Sequence, residues 1–357
     1  MSDFAQHGPI LTLPCLTTSS ATELDREILP LLTQRTPVAL VLPCIAADAV
    51  QAPLRQILTS LDNTRWLQHV LIPINGLTDP EFESVATGLL ELYPRLPLSL
   101  LHTDADLPQL EPGKGTNVLN ALRLLKHNAF NGVVTIHDAD NLAFQKGELA
   151  RLIHPVVDKN FGMEFAKQFY SRFDQRLHGR VSRLFLEPLL KTLHAILPAD
   201  LSNFLNAFRY PLAGECALTM RLAEQVRIPA GWGLEIALLA EAHCILSPDS
   251  ICQVGSIQSH QHRHHADQQH LIQQCRAILD TLAAHPATQN RLSTESLATL
   301  RTAFAQAQLR ALRASSLIAR ANGLQDQTDT EFELAGRLAS TLAELRNSVT
   351  FNGLSDL

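Results

Sequence analysis

Two aspartates, Asp138 and Asp140, stand directly after the apolar run Val133-Val134-Thr135-Ile136-His137. A β-branched run of that length reads as a strand, and ligands of open α/β sheets bind beyond the carboxyl ends of the strands. Two carboxylates placed there suit a hard divalent cation such as Mg²⁺ or Mn²⁺, which takes oxygen ligands and fills its other positions with water and phosphate. A nucleoside diphosphate leaves poorly until its charge is neutralised, so such a cation has a task. The competing reading of the same residues is an acidic turn that caps the next helix.

Further polar clusters surround this pair in sequence. Glu111-Pro112-Gly113-Lys114-Gly115-Thr116-Asn117 opens a helix. Its glycines allow the backbone close to a ligand, and both Lys114 and the helix N-terminus favour an anion. The spacing is not that of a P-loop, so a Walker-type ATPase is not expected. His178-Gly179-Arg180-Val181-Ser182-Arg183 offers a guanidinium and a hydroxyl that could clamp a carboxylate or phosphate, or else is a basic surface turn. Tyr210-Pro211-Leu212-Ala213-Gly214-Glu215 and Gly231-Trp232-Gly233-Leu234-Glu235 set glycines beside an aromatic ring and a carboxylate, as in a pocket wall that packs on a sugar, or in plain structural turns. His260, His262, His264, His265 and His270 lie close together, but no cysteine or acidic pattern completes a zinc site among them. One functional histidine on a solvated loop is expected, and spacing does not say which.

The elements that must carry these residues show in the periodicity. Apolar runs at 38–42, 69–74, 98–101 and 132–137 alternate with helical patterns. In the first pattern Val50, Leu54, Ile57 and Leu61 recur on one face. In the second, Asp79 caps a helix with Pro80 at its first position and Phe82, Val85, Leu89 and Leu92 as its buried stripe. In the third, Val118, Leu122 and Leu125 face inward. Strands linked by crossover helices imply an α/β, largely parallel sheet covered on both faces. The region from about 150 to 265 is less regular. The tail is helical: Leu271, Cys275, Ile278 and Leu282 mark one helix, 293–322 a long one, and Ala335, Leu338, Leu342 and Leu345 another. This tail is a helical appendage, either an element of a homodimer or a lid over the sheet edge.

The 357 residues, 46% hydrophobic and 18% charged, suit a soluble globular protein with a substantial core. A net charge of −6 speaks against general nucleic-acid binding without excluding a local basic pocket. No apolar run reaches the length of a membrane span and the N-terminus has no secretory pattern. The six scattered cysteines are expected to be reduced, which together places the chain in the cytoplasm.

Taken together and in order, the segments PGKG at 112–115, DAD at 138–140, GRVSRL at 179–184, PLAGE at 211–215, GWGLEIALL at 231–239 and the His260 segment resemble the glucosyl-3-phosphoglycerate synthases, retaining GT-A enzymes of glycosyltransferase family 81. The resemblance implies a GT-A fold, Rossmann-like with a mixed, mostly parallel sheet. A catalytic domain would span 1–265, with its nucleotide-sugar part at about 30–145 and its acceptor part at about 146–265, followed by a helical region at 266–357. It implies that Asp140 and His260 ligate the metal, with Asp138 bonded to the nucleotide. Pro43, Lys114 and Arg263 would lie near the nucleotide and diphosphate, and Leu212, Ala213 and Gly214 would line the donor sugar. Gly179, Arg180, Val181 and Ser182 would hold the acceptor's acidic end, with Trp232 and Glu235 facing sugar and acceptor. Glu235 and Arg180 are the residues it marks as catalytic.

The chain departs from the family pattern in four places. Pro43-Cys44-Ile45-Ala46-Ala47-Asp48 replaces a P-x-L-N-E-E-like stretch, and Asn75-Gly76-Leu77-Thr78-Asp79 replaces a D-S-x-S-x-D-like loop. Gln258 stands where arginine is common, and Ser182 where threonine is usual. The expected activity is hexosyl transfer, of glucose above all, from a nucleotide-diphosphate sugar to 3-phosphoglycerate or glycerate. The product would be a compatible solute or a polysaccharide precursor. The rivals are mannosyl transfer from GDP-mannose, a sugar nucleotidyltransferase, and a non-catalytic nucleotide-binding relative.

Overall fold

The computed structural model describes residues 6, 8–17, 19–256, 268–288, 291–343, 345 and 349–357. Its strands are β1 (Leu11–Leu13), β2 (Val38–Val41), β3 (Cys44–Ile45), β4 (His69–Asn75), β5 (Leu98–His102), β6 (Val133–Ile136), β7 (Phe165–Phe169), β8 (Cys216–Thr219), β9 (Ile228–Pro229), β10 (Ile251–Gly255) and β11 (Phe351–Asn352). Among the described residues nine of them form one sheet in the order β1-β10-β7-β8-β6-β2-β4-β3, with β5 paired to β4. Only β8 runs antiparallel to its neighbours in this sheet, β6 and β7. The sheet is therefore mixed and mostly parallel, as in the GT-A architecture expected from sequence.

The four apolar runs are β2, β4, β5 and β6. Residues of β2, β4 and β6 are buried almost throughout because helices cover both faces. One apolar cluster packs Val118, Leu122 and Leu125 of the helix Lys114–His127 beneath the sheet, and the other packs Leu54, Ile57 and Leu61 of Ala52–Leu61 on the opposite side. Val50 does not join that stripe. The helix starts only at Ala52, which leaves Val50 53% exposed. The next helix, Asp79–Leu92, is capped by Thr78 and not by Asp79: the Glu81 carboxylate accepts from the Thr78 amide (2.9 Å) and hydroxyl (2.7 Å). Its stripe ends at Leu89, and Leu92 is exposed.

The tail forms the helices Gln268–Ala284, Thr294–Ala321 and Thr328–Ser340. Leu271, Cys275, Ile278, Leu297, Phe304, Leu338 and Leu342 share one apolar cluster with the helix under β6. The strand pair β9–β11 adds a C-terminal contact to the same side. Among the described residues no helix is long and apolar enough to cross a membrane.

Candidate active site

Strand direction explains why residues distant in sequence meet. β2, β6 and β7 are mutually parallel, so their carboxyl ends lie along one edge of the sheet. From β2 the chain runs into Pro43 and Cys44, from β6 into Asp138 and Asp140, and from β7 into Tyr170 and Arg172. Antiparallel β8 is entered at that edge, which brings in Tyr210, Leu212 and Gly214. Together with the start of Lys114–His127 and of Leu234–Ile245, these segments surround a cleft of about 440 Å³. That volume lies within the range of small-molecule sites.

The cleft floor is an ion-paired group. The Lys114 ammonium lies 2.5 Å from Asp138 Oδ1 and 2.6 Å from Glu235 Oε1. Burial alone would push Lys114 down, but the two carboxylates outweigh it and hold the ammonium well above the usual lysine range. Burial likewise opposes the Glu235 charge, and Lys114, followed by Lys167, overrides it and holds the carboxyl below its usual range. Glu235 is thus ionised at the first turn of its helix, where the helix dipole also favours a negative charge.

The glycines of PGKG are required for packing. A Cβ on Gly115 would land on the Pro229 carbonyl oxygen, and one on Gly113 on that of Ala230. They bring the Lys114 helix against the backbone of 229–230, and the Thr116 amide donates to the Ala230 carbonyl at 3.0 Å. Lys114 is aimed at the floor by that contact. Gly214 is required for a similar reason, because any side chain there would strike the Asp138 carboxylate. Ala213 is fully buried behind the cleft, where its carbonyl accepts from the buried Lys167 ammonium.

Behind Asp138 sits a second polar layer. Tyr170 donates to Glu215 at 2.7 Å, and His137 Nε2 lies 3.9 Å from the other Glu215 oxygen. Burial and then Glu215 push the Tyr170 phenol well above its usual range. His137 Nδ1 meets the Asp138 carbonyl at 2.9 Å, which ties this layer to the aspartate loop.

The opposite wall is basic. Arg172, His178, Gly179, Arg180, Val181 and Ser182 line it. Residues 180–193 are helical without a break, so Arg180 and Ser182 occupy a helix N-terminus that favours an anion. Burial, and behind it the neighbouring Arg176 and Arg183, push Arg180 below the usual arginine range, with Glu331 acting the other way. Arg183 serves a separate purpose. It forms a two-pronged pair with Glu331 at 2.6 and 3.1 Å and donates to Ser315 at 2.7 Å. This pair ties the wall to the tail helices.

Of the residues picked out from sequence, Pro43, Lys114, Asp138, Asp140, Gly179, Arg180, Val181, Ser182, Leu212, Trp232 and Glu235 all line this cleft. His260 and Arg263, with Gln258, lie outside the described residues. Of the histidine cluster, His270 lines the cleft and packs edge-on against Trp232 at 5.1 Å between ring centroids. Sequence reading passed over Arg172 and Gln274. The position of Arg172 just past β7 was a usable signal, had the buried Lys167 and Gln168 not obscured that strand.

The charge balance of the lining bears on metal binding. Asp48, Asp138, Asp140 and Glu235 face a single lysine, Lys114, on the floor side. This excess of carboxylate oxygen suits a hard divalent cation. Among the described residues no three histidine, cysteine or acidic side chains converge as a complete ligand set.

A cleft at the carboxyl edge of a mostly parallel sheet, with an acid pair at one strand end and a basic wall opposite, fits the nucleotide-sugar glycosyltransferase expected from sequence. Comparisons with known proteins identify which kind. The glucosyl-3-phosphoglycerate synthase of Persephonella marina is 31% identical over 277 residues, covering 74% of this chain and 68% of the relative. That of Methanococcoides burtonii is 32% identical over 246 residues, covering 64% and 59%. The chain belongs to the glucosyl-3-phosphoglycerate synthase family of glycosyltransferases. The fold is also that of the Mycobacterium tuberculosis glucosyl-3-phosphoglycerate synthase, solved with Mn²⁺, uridine diphosphate and phosphoglyceric acid (TM-score 0.59, 23% identity, 77% of this chain and 85% of that one). No protein-family model matches the chain.

Proposed function

We propose that the protein transfers glucose, with retention at the anomeric carbon, from a nucleotide-diphosphate glucose to the hydroxyl of 3-phosphoglycerate. The observation that carries this reading is the meeting of an acid-rich floor and a doubly basic wall in one cleft of a family member. The floor complements a metal-bound diphosphate, and the wall complements an anionic acceptor. Mg²⁺ or Mn²⁺, as in the solved mycobacterial enzymes, would be held by Asp140 with His260, and Asp138 would bond the nucleotide. A bound divalent cation supplies neutralising charge to the departing nucleoside diphosphate.

The chain's own groups do the rest by positioning. Lys114 keeps Glu235 ionised, so Glu235 accepts hydrogen bonds from hydroxyls of the sugar or acceptor and orients them. Gly214 lets the 212–214 segment pass directly over Asp138, where Leu212 lines the donor sugar. Arg180 and Ser182 hold the acceptor's phosphate at the helix N-terminus. Pro43 and Arg263 border the nucleotide. All six cysteines are free thiols, in keeping with a cytoplasmic setting.

The test is product formation by the purified protein with Mg²⁺ or Mn²⁺. UDP-, ADP- and GDP-glucose and GDP-mannose are crossed with 3-phosphoglycerate and glycerate, and products are read by mass spectrometry. A glucosyl-phosphoglycerate from one donor is the expected result. A mannosylated product moves the assignment to the mannosyl rival. No product despite measurable nucleotide binding means that the cleft has lost turnover.

A further inference from the structure

Two guanidinium groups line the basic wall, and only one of them is accounted for by an acceptor phosphate. Arg172 leaves the carboxyl end of β7 and lines the cleft with Tyr210 and Asp138. Among the described residues it makes no ion pair. Its side chain donates from Nη1 to the Tyr210 hydroxyl, at a long 3.3 Å, and its Nε is buried with no partner among the described residues. Burial opposes its charge, yet Tyr210, with Tyr170 and Asp138 behind it, raises Arg172 above the usual arginine range. A half-buried cation with donors to spare is costly unless something anionic completes it.

We propose that Arg172 binds the carboxylate of the acceptor and thereby sets the orientation of the hydroxyl beside it. This rests on the function proposed above. The chemistry of the acceptor decides which acid goes where. In 3-phosphoglycerate the carboxylate is bonded directly to the carbon that bears the only free hydroxyl. The phosphate stands further off, beyond a methylene and an ester oxygen. Arg172 bonds Tyr210 at the start of the 210–214 turn, and that turn passes directly over Asp138 on the floor, where the reacting hydroxyl must sit. Arg180 stands at the helix N-terminus that is proposed to take the phosphate. The planar fork of arginine also matches a carboxylate in two parallel bonds. Tyr210 holds the fork from the side, and its ring packs edge-on against Tyr170 at 5.0 Å, so the guanidinium is steadied by the layer behind Asp138. Two cations at fixed separation would then measure an acid with two charged ends and fix its middle hydroxyl between them.

The experiment is binding by titration calorimetry to the full-length protein saturated with UDP and Mn²⁺. 3-Phosphoglycerate is compared with glycerol 3-phosphate, which has the same phosphate and hydroxyl but no carboxylate. R172M should weaken 3-phosphoglycerate about 30- to 100-fold and leave glycerol 3-phosphate within about threefold, so the preference between the two collapses. R172K, which keeps the charge and loses the fork, should fall between. Tyr210→Phe should cost only a few-fold, on 3-phosphoglycerate alone. Equal losses for both ligands, or a loss confined to UDP, would overturn the inference, as would unchanged 3-phosphoglycerate affinity. A wild-type protein that binds neither ligand would instead sink the acceptor assignment on which the inference rests.

Discussion

The floor and the basic wall of the cleft are both charged, but their charges are organised in opposite ways. On the floor Lys114 sits between Asp138 and Glu235, within 2.6 Å of each, and Asp48 and Asp140 add further negative charge. One lysine against four lining carboxylates leaves the floor short of positive charge. The wall's own lining, Arg172 and His178 to Ser182, carries guanidinium groups and no carboxylate, so it is short of negative charge. Each deficit names the kind of ligand that would complete it. The acidic end complements a metal-bound diphosphate, and the basic end complements a small acid. A binding pocket with its charges internally balanced would give neither direction nor order to two substrates.

The sharpest way to break this contrast is to remove a floor carboxylate. Asp140→Asn should lower turnover about 10³-fold, a loss of transition-state stabilisation of about 4 kcal/mol. Calorimetry should also show that Mn²⁺ no longer tightens UDP binding, while thermal unfolding stays where it was. Metal-dependent UDP binding that survives in this variant would take the cation away from the floor.

Removing the internal cation tests the same deficit from the other side. Lys114→Met leaves Asp138 and Glu235, 22% and 13% exposed, without the ammonium that bridges them. Breaking a largely buried pair is strongly destabilising, and partial solvent access lowers the cost to about 2–4 kcal/mol, readable by urea unfolding. Added Mn²⁺ should recover part of this stability in Lys114→Met, because a cation that binds only the folded state stabilises it. The recovery should vanish when Asp140→Asn is added. Absence of any Mn²⁺ effect in Lys114→Met would mean that the floor tolerates its carboxylates without a cation.

The two regions were also unequally legible in the sequence. The floor's aspartates follow β6, whose residues are all β-branched and mostly apolar, so the apolar run located them while the resemblance supplied their roles. The wall hangs on β7, and there the signal fails. Phe-Ala-Lys-Gln-Phe is buried at Lys167 and Gln168, and the Lys167 ammonium is satisfied there by donating to the Ala213 carbonyl. β10 hides in the same way behind Gln253, which donates to Thr12 and Ala207 and accepts from Arg209. Buried polar residues satisfied across long sequence separations look like surface to any reading of hydrophobic pattern. The roles of Gly113 and Gly115 were hidden for a related reason: their neighbour is the backbone of 229–230, more than a hundred residues away. What bridged these gaps was resemblance across several short segments, which marked the wall without explaining it.

The smallest effect separates the wall's chemistry from its shape. Ser182 lines the cleft at the start of the π-helical turn Ser182–Leu186, and its hydroxyl makes no hydrogen bond among the described residues. If that hydroxyl donates to the acceptor's phosphate, Ser182→Ala should remove one charge-assisted hydrogen bond at a partly solvated position. The cost would be about 1–1.5 kcal/mol, or roughly a five- to tenfold rise in the acceptor KM with kcat little changed. Ser182→Thr keeps the hydroxyl and adds a methyl, so its KM should stay within about twofold of the parent. The pair of variants distinguishes two accounts that either alone would leave mixed. A wall that works through its donors predicts loss with alanine and tolerance of threonine. A wall that works through shape alone predicts the reverse, since alanine leaves the cleft open and threonine narrows it. Steady-state kinetics with 3-phosphoglycerate as the varied substrate decides between them, and a threonine variant worse than the alanine one would end the anion-clamp account of Ser182.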